Sequence, residues 1–153
     1  MNLEERINAD IKTAIKSRQK EKLEALRAIK SAILLVKTEK GYTGAMDEAA
    51  ELKLLQKLVK QRKESAEIYR DQQRNDLYER EVFEAEIIGN YLPEQLDDDA
   101  LKEQLEQIIR KEGASSMADM GKIMGIASRQ FAGKAEGKKI AELVRQLLSG
   151  KQG

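Results

Sequence analysis

The segment Tyr91-Leu92-Pro93 divides this sequence, because Pro93 is the only proline among 153 residues. Proline disfavours helical geometry at the residue before it, so Leu92 is expected to lie outside any helix. On both sides the chain is rich in Glu, Lys, Leu, Ala and Gln, and apolar residues recur with the 3.6-residue period of an amphipathic helix. The segment therefore predicts a hinge between two lobes of an all-α protein with seven helical segments.

Four of these segments precede the hinge. Asn2 and Asp47 are predicted N-caps of the first and third helices, and Asn75 or Asp76 begins the fourth. Together they predict an N-terminal helical domain, residues 1–92, built as a bundle of about four helices.

Three shorter helical segments follow the hinge. Asp97 places negative charge at the start of the fifth helix, Gly113 closes it, and Ser115 or Ser116 caps the sixth. The turn at 133–137 precedes the seventh. This pattern predicts a small three-helix C-terminal domain, residues 97–153, which is marginal at that size without packing partners.

The chain contains no His, no Cys and no Trp. Cys-His and Ser-His-Asp nucleophilic catalysis cannot be built without these side chains, nor can a zinc site of His and Cys or a disulfide framework. No other nucleophile stands beside a base in the sequence. We therefore expect a protein that is not an enzyme by itself and that needs no cofactor and no metal.

The N-terminal residues 1–5 are acidic where a signal peptide is basic, and the longest strongly apolar stretch, 32–36, is far shorter than a membrane helix. These features predict a cytoplasmic protein with no membrane contact.

The formal net charge is only +1, but residues 117–153 carry seven basic and three acidic side chains. The C-terminal end is therefore a local basic patch that suits a polyanion.

Two further features stand out on the predicted helices. Arg62 falls in the centre of the apolar arc of the third helix, so it needs a carboxylate partner, for which Glu79 and Glu86 of the fourth helix are the candidates in a structural ion pair. Gly121 and Gly125 lie four residues apart within the sixth helix. Glycine is unfavourable in a helix interior, so this pair predicts close approach by another helix or by a ligand.

Four ordered runs of the sequence resemble the YqeY family. They are KLEALRAIKSAI at 22–33, LVKQRKES at 58–65, YLPEQL at 91–96 and DMGKIMG at 119–125. The resemblance covers nearly the whole chain and implies a small, cytosolic, bacterial, all-helical protein. It also implies that the C-terminal part is similar to the tail domain of the B subunit of the glutamine-dependent aminoacyl-tRNA amidotransferase, which helps to hold the tRNA.

Position by position, the resemblance to that tail points to one set of residues in the sixth helix and the turn after it. These are Gly121, Lys122, Met124, Gly125, Gly133, Lys134 and Ala135. Two departures accompany it. Glu136 stands where the family usually has Asp, and Gln72-Gln73 stands where the family usually has Ala-Gly.

Together, the basic segment and the resemblance predict a non-catalytic tRNA- or RNA-binding accessory protein linked to tRNA-dependent amidotransferase function. The predicted phosphate contacts are Lys122, Arg129, Lys134, Lys138, Lys139 and Arg145. One alternative is a protein-interaction module without RNA contact, which docks on a tRNA-handling enzyme through the third helix or the Gly121/Gly125 face. Another, implied by the family alone, is a carbon-nitrogen ligase with glutamine as amido donor.

Overall fold

The computed structural model describes residues 1–41 and 44–150 of the chain. Over these residues the protein is all-α, as predicted, with seven α-helices and no β-strand. The helices are α1 (Leu3–Lys16), α2 (Lys20–Lys40), α3 (Glu48–Asp71), α4 (Asn75–Gly89), α5 (Asp98–Glu112), α6 (Met120–Gln130) and α7 (Gly137–Gly150). A short 3-10 turn, Met117–Asp119, precedes α6.

Side-chain caps fix where several helices begin. Asn2 and Asp47, the predicted caps, and Asp97 each accept a hydrogen bond from the backbone N–H three residues later, at 2.7–2.8 Å. Each bond satisfies one of the free N–H groups of a first helical turn and contributes about 1 kcal/mol. Ser116 and Asp119 form a reciprocal capping box around the 3-10 turn before α6.

The chain divides into two compact units, Met1–Leu92 and a unit that begins at Pro93. We call them the N-terminal and the C-terminal unit. The N-terminal unit has its own apolar core, with Ile7, Leu26, Ile29 and Ile88 fully buried. The C-terminal unit has a second core, which includes the fully buried side chains of Leu101, Leu105, Phe131 and Leu148.

The same three-residue turn joins α1 to α2 and α3 to α4. Its middle residue is Arg18 in the first case and Gln73 in the second, and both have φ of +57°. The residue after each donates its N–H to the carbonyl five positions earlier, at 3.0 and 2.9 Å, which is the closure of a Schellman motif. This left-handed backbone is strained for side chains other than glycine. The family resemblance places glycine at position 73, and the left-handed backbone there explains that preference.

Replacing Gln73 with glycine is expected to raise the free energy of unfolding by about 0.5–1 kcal/mol, because the strain removed exceeds the entropy that glycine adds to the unfolded chain. Urea unfolding followed by tyrosine fluorescence measures the change. Gln72→Gly is the matched control, since Gln72 has φ of −86° and no such strain to relieve. A Gln73→Gly protein less stable than the wild type would contradict the argument.

Arg62 pairs with Glu84 of α4, and not with the predicted partners Glu79 and Glu86. The Arg62 Nε lies 3.6 Å from Glu84 Oε2, and the two side chains are only 18% and 14% exposed. Glu79 and Glu86 are both exposed to solvent. The expectation of a carboxylate opposite Arg62 therefore names the wrong residue of α4.

The rotation of α4 about its axis explains this difference. Its buried and half-buried side includes Leu77, Glu81, Glu84 and Ile88, spaced by four, three and four residues. Burial, and then the negative charge of Glu84, raises the pKa of the Glu81 carboxyl, while the positive charge of Arg62 opposes the rise. Arg62, together with the more exposed Arg80 of α4, thus offsets the charge of two partly buried carboxylates.

Tyr91 anchors the end of the N-terminal unit to α1. Its hydroxyl donates a hydrogen bond to Asp10, and the Arg6 guanidinium lies 5.1 Å from the centre of its ring. Burial, followed by the hydrogen bond to Asp10, raises the pKa of the Tyr91 hydroxyl. The residue before Leu92-Pro93 is therefore held by both its ring and its hydroxyl.

Candidate nucleic-acid interface

The six predicted RNA contacts belong to α6, α7 and the turn between them. The apolar stripe Ile123, Ala127 and Phe131 is fully buried, so α6 must turn its opposite side to solvent. These six are the only basic side chains between residues 117 and 150, a stretch that carries three acidic ones. The sequence therefore fixes both the exposed side of α6 and its positive charge.

The exposed side of α6 carries two cations with small residues between them. Lys122 and Arg129 lie seven residues apart, about 10 Å along the helix, and both are exposed. Gly121, Gly125 and Ser128 share this exposed side. We call this surface the α6 glycine face.

The two glycines do not serve close packing of helices within the described chain. A Cβ built at Gly121 or at Gly125 meets no atom within 4 Å. The prediction that both are close-packing glycines against another helix is thus not supported inside the described parts of the C-terminal unit. The other half of that prediction, approach by a ligand, remains a prediction.

The turn between α6 and α7 is held by the segment that follows Pro93. Gln95 Nε2 donates to the Gly133 carbonyl at 2.7 Å, and the Leu96 N–H donates to the Lys134 carbonyl at 3.0 Å. Gly133 has φ of +75°, a conformation that favours glycine. Gln95 and Leu96 were not among the predicted site residues, and only their place in the run 91–96 hinted at a role.

Two of the six cations form ion pairs at the surface. Lys122 Nζ lies 3.4 Å from Glu112 Oε2, and Lys139 Nζ lies 3.2 Å from Asp98 Oδ2. Such exposed pairs contribute little, and salt or a phosphate displaces them readily. The other four cations, Arg129, Lys134, Lys138 and Arg145, form no ion pair with any described residue.

A second group of free cations lies on α3. Lys53, Lys57, Lys60 and Lys63 are exposed and make no ion pair within the described chain. They belong to the N-terminal unit and follow a single helix. They form a simple lysine stripe, without the glycines or the fixed turn of the C-terminal unit.

The described residues contain neither a cluster of metal ligands nor a membrane-spanning helix. No group of three or more His, Cys, Asp or Glu side chains is arranged to hold a metal ion. None of the described helices combines the length and apolar character needed to cross a bilayer.

Comparison with known proteins adds two findings. The sequence model of the family described as "Yqey-like protein" matches residues 4–148. A curated relative from Pyrenophora tritici-repentis, "Altered inheritance of mitochondria protein 41, mitochondrial", is 32% identical over 148 residues. The match spans 91% of this chain and 79% of that relative.

Proposed function

The chain belongs to the Yqey-like protein family, and from this premise we propose that it is a non-catalytic accessory protein whose C-terminal unit binds tRNA or a similarly structured RNA. The link to tRNA-dependent amidotransferase function is what the family resemblance implies for the C-terminal part, which it likens to the tail domain of the amidotransferase B subunit. Family membership names no ligand, so the proposal depends on the surface chemistry.

One observation carries the proposal. The α6 glycine face presents two cations, Lys122 and Arg129, with open space over the neighbouring Gly121 and Gly125. Glycine interrupts a helix unfavourably, and no packing neighbour in the described chain accounts for the pair at 121 and 125. A phosphate backbone could approach the helix closely at the two glycines, because they have no side chain, and the neighbouring cations would attract it.

The expected mode of binding is recognition of backbone and shape. Lysine and arginine contacts to phosphates position an RNA without reading its bases, and they release counterions, so binding is salt-sensitive. Stacking on single-stranded bases is not favoured, because Phe131 is the only aromatic residue after Tyr91 and it is fully buried. A folded RNA with A-form stems fits this surface better than a single strand.

The first test removes charge. Binding of total tRNA is measured by fluorescence anisotropy at two salt concentrations, for the wild type and for a variant with Arg129, Lys134, Lys138 and Arg145 changed to alanine. We expect the variant to bind at least about tenfold more weakly, with a shallower salt dependence. The matched control changes Lys53, Lys57, Lys60 and Lys63 to alanine, which removes the same charge from α3. Equal losses in both variants, or no binding of the wild type at low salt, would overturn the proposal.

The second test separates binding from stability. Gly125→Gln should raise the free energy of unfolding of the C-terminal unit by about 0.5–1 kcal/mol, since glutamine is a better helix former and space is open at this position. The same side chain should obstruct an RNA backbone and weaken tRNA binding several-fold. A more stable variant with unchanged affinity would exclude the α6 glycine face as the contact surface.

A further inference from the structure

A groove in the N-terminal unit lies between the beginning of α2 and one side of α4. It consists of two adjoining hollows, of about 400 and 550 Å³, which share Lys20, Glu21 and Phe83. We call it the α2–α4 groove. It is separate from the RNA-binding surface proposed above, and nothing in its chemistry depends on that proposal.

The wall that α4 contributes follows the helical period. The lining positions include Asp76, Arg80, Phe83 and Ile87, spaced by four, three and four residues. Asp76 and Ile87 lie eleven positions apart, which corresponds to about 16 Å of helix. That length matches roughly three turns of a second helix laid along the groove.

The groove is apolar at one end and acidic at the other. Phe83 and Ile87 are only half-buried and form the apolar surface of the second hollow, which is also lined by Gln19, Lys20, Glu21 and Lys22. The acidic hollow is lined by five carboxylates against two cations, Lys20 and Arg80, so its net charge is −3. The carboxylates are Glu21, Glu24, Asp76, Glu79 and Glu84.

Ion pairs within the N-terminal unit leave part of this negative charge available. Arg80 reaches Glu24 at 2.9 Å and Glu84 at 3.9 Å, and Asp76 is bound by Arg74 outside the groove. Glu21 and Glu79 have no ion pair with a described residue. The Arg80–Glu24 pair is 60% and 42% exposed, so its displacement by an incoming cation costs little.

The chemistry of the groove selects one class of occupant. Its negative charge repels RNA and anionic lipid headgroups, and half-buried Phe83 and Ile87 give no advantage to a small hydrated cation. A helix with apolar side chains on one face and basic ones beside them satisfies both ends of the groove. We propose that the α2–α4 groove binds a basic amphipathic helix of a partner protein, with a large apolar side chain on Phe83 and Ile87 and basic side chains on Glu21 and Glu79.

The probes are three fluorescein-labelled synthetic peptides of fourteen residues, tested on the full chain by fluorescence anisotropy. The first has leucine and lysine in an amphipathic helical pattern, the second replaces lysine by glutamate, and the third replaces leucine by alanine. We expect the leucine-lysine peptide to bind at least about tenfold more tightly than either of the others, because each loses one of the two matched features.

Variants of the groove locate the binding. Glu21→Gln with Glu79→Gln should weaken the leucine-lysine peptide at least about fivefold, and Phe83→Ala at least about tenfold. The matched control is Glu64→Gln with Glu103→Gln, two exposed carboxylates elsewhere without an ion pair in the described chain. Because Glu21 and Glu79 are exposed, their variant folds normally and tests the groove even where Phe83→Ala disturbs packing.

Two results would overturn the proposal. One is equal binding of the leucine-lysine and alanine-lysine peptides, which would mean simple ion exchange with an acidic surface. The other is a loss of affinity in the Glu21/Glu79 variant that is no larger than the loss in the Glu64/Glu103 control.

Discussion

Phe131→Ala is expected to lower the free energy of unfolding of the C-terminal unit by about 3–5 kcal/mol. Phe131 is fully buried and is the largest of the completely enclosed side chains. Its removal leaves a cavity in the middle of a small core. A domain of this size has only a few kcal/mol of stability, so a large share of the molecules should lose the folded C-terminal unit.

The distribution of tyrosines makes this result easy to assign. All four tyrosines lie between residues 42 and 91, whereas α5, α6 and α7 follow Pro93. Urea unfolding by far-UV circular dichroism reports on both units, and tyrosine fluorescence reports on the N-terminal unit. The variant should show an early transition in circular dichroism alone. Coincident transitions by both probes at the wild-type midpoint would contradict the prediction.

Phe83→Ala provides the matched control. Phe83 is half-buried and belongs to the N-terminal unit. Its loss should cost less than the loss of Phe131 and should move the transition detected by tyrosine fluorescence, because less apolar area returns to water. The two Phe→Ala variants should therefore differ both in the unit whose transition moves and in the size of the shift.

Arg62→Met is expected to lower the free energy of unfolding at pH 7 by about 2–3 kcal/mol, because it removes the more buried of the two described cations beside Glu84 and leaves only Arg80, which is 3.9 Å away and 60% exposed. This loss of stability is smaller than for a fully buried pair, because the Arg62 and Glu84 side chains are still 18% and 14% exposed. Methionine retains the apolar contacts of the arginine stem. The loss should therefore report on charge and not on volume.

The loss should depend on pH in a defined direction. Burial and Glu84 already raise the pKa of Glu81 above its ordinary value of 4.5, and Arg62 opposes this rise. Without Arg62, the pKa of Glu81 in the folded protein rises further. A raised carboxyl pKa means that the folded state binds protons more tightly, so stability is favoured at low pH and is lost as pH rises from about 4.5. The variant should accordingly be closer to the wild type at pH 4.5 than at pH 7.

A second substitution tests the cause. Arg62→Met combined with Glu84→Gln removes both the cation and one of the two carboxylates, and it should recover at least half of the loss at pH 7. Urea unfolding of the wild type, the single variant and the double variant at both pH values measures these differences. A loss independent of pH, with no recovery in the double variant, would point to packing and would exclude the electrostatic explanation.

The helices and their boundaries were largely predictable from the sequence, because their signals are local. Asn2 and Asp47 cap helices through bonds to N–H groups three residues away, and Gly113 ends α5 with φ of +66°. Each of these features depends on a few neighbouring residues. The all-α class follows from the same local rules.

The partner of Arg62 was not predictable in the same way. The apolar residues of α4 spread over a wide arc, so a helical wheel leaves the direction of its buried side open. Glu81 and Glu84 make the buried side of α4 look polar in the sequence. That side can be buried because Arg62 of α3, helped by Arg80 of α4, offsets the two negative charges. The side of α4 that is buried is therefore set by charge pairing between two helices and not by the apolar pattern of α4 alone.

The candidate interface also has some features that the sequence predicts and others that it does not. The basic patch and the exposed side of α6 follow from the sequence, since they depend on counting charges and on the buried stripe. The open space over Gly125 and the bond from Gln95 to Gly133 depend on where distant segments meet. Composition could indicate a polyanion surface, but it could not indicate which backbone atoms hold that surface in place.

The bond between Gln95 and Gly133 also has a consequence for synthesis on the ribosome. It joins positions that are 38 residues apart, and the neighbouring bond joins Leu96 to Lys134. At 5–20 residues per second, translation of that interval takes roughly 2–8 s. The segment after Pro93 therefore waits for its partner while the N-terminal unit is already complete. Because the N-terminal unit leaves the ribosome first, its four helices have time to fold before the last three helices can pack together.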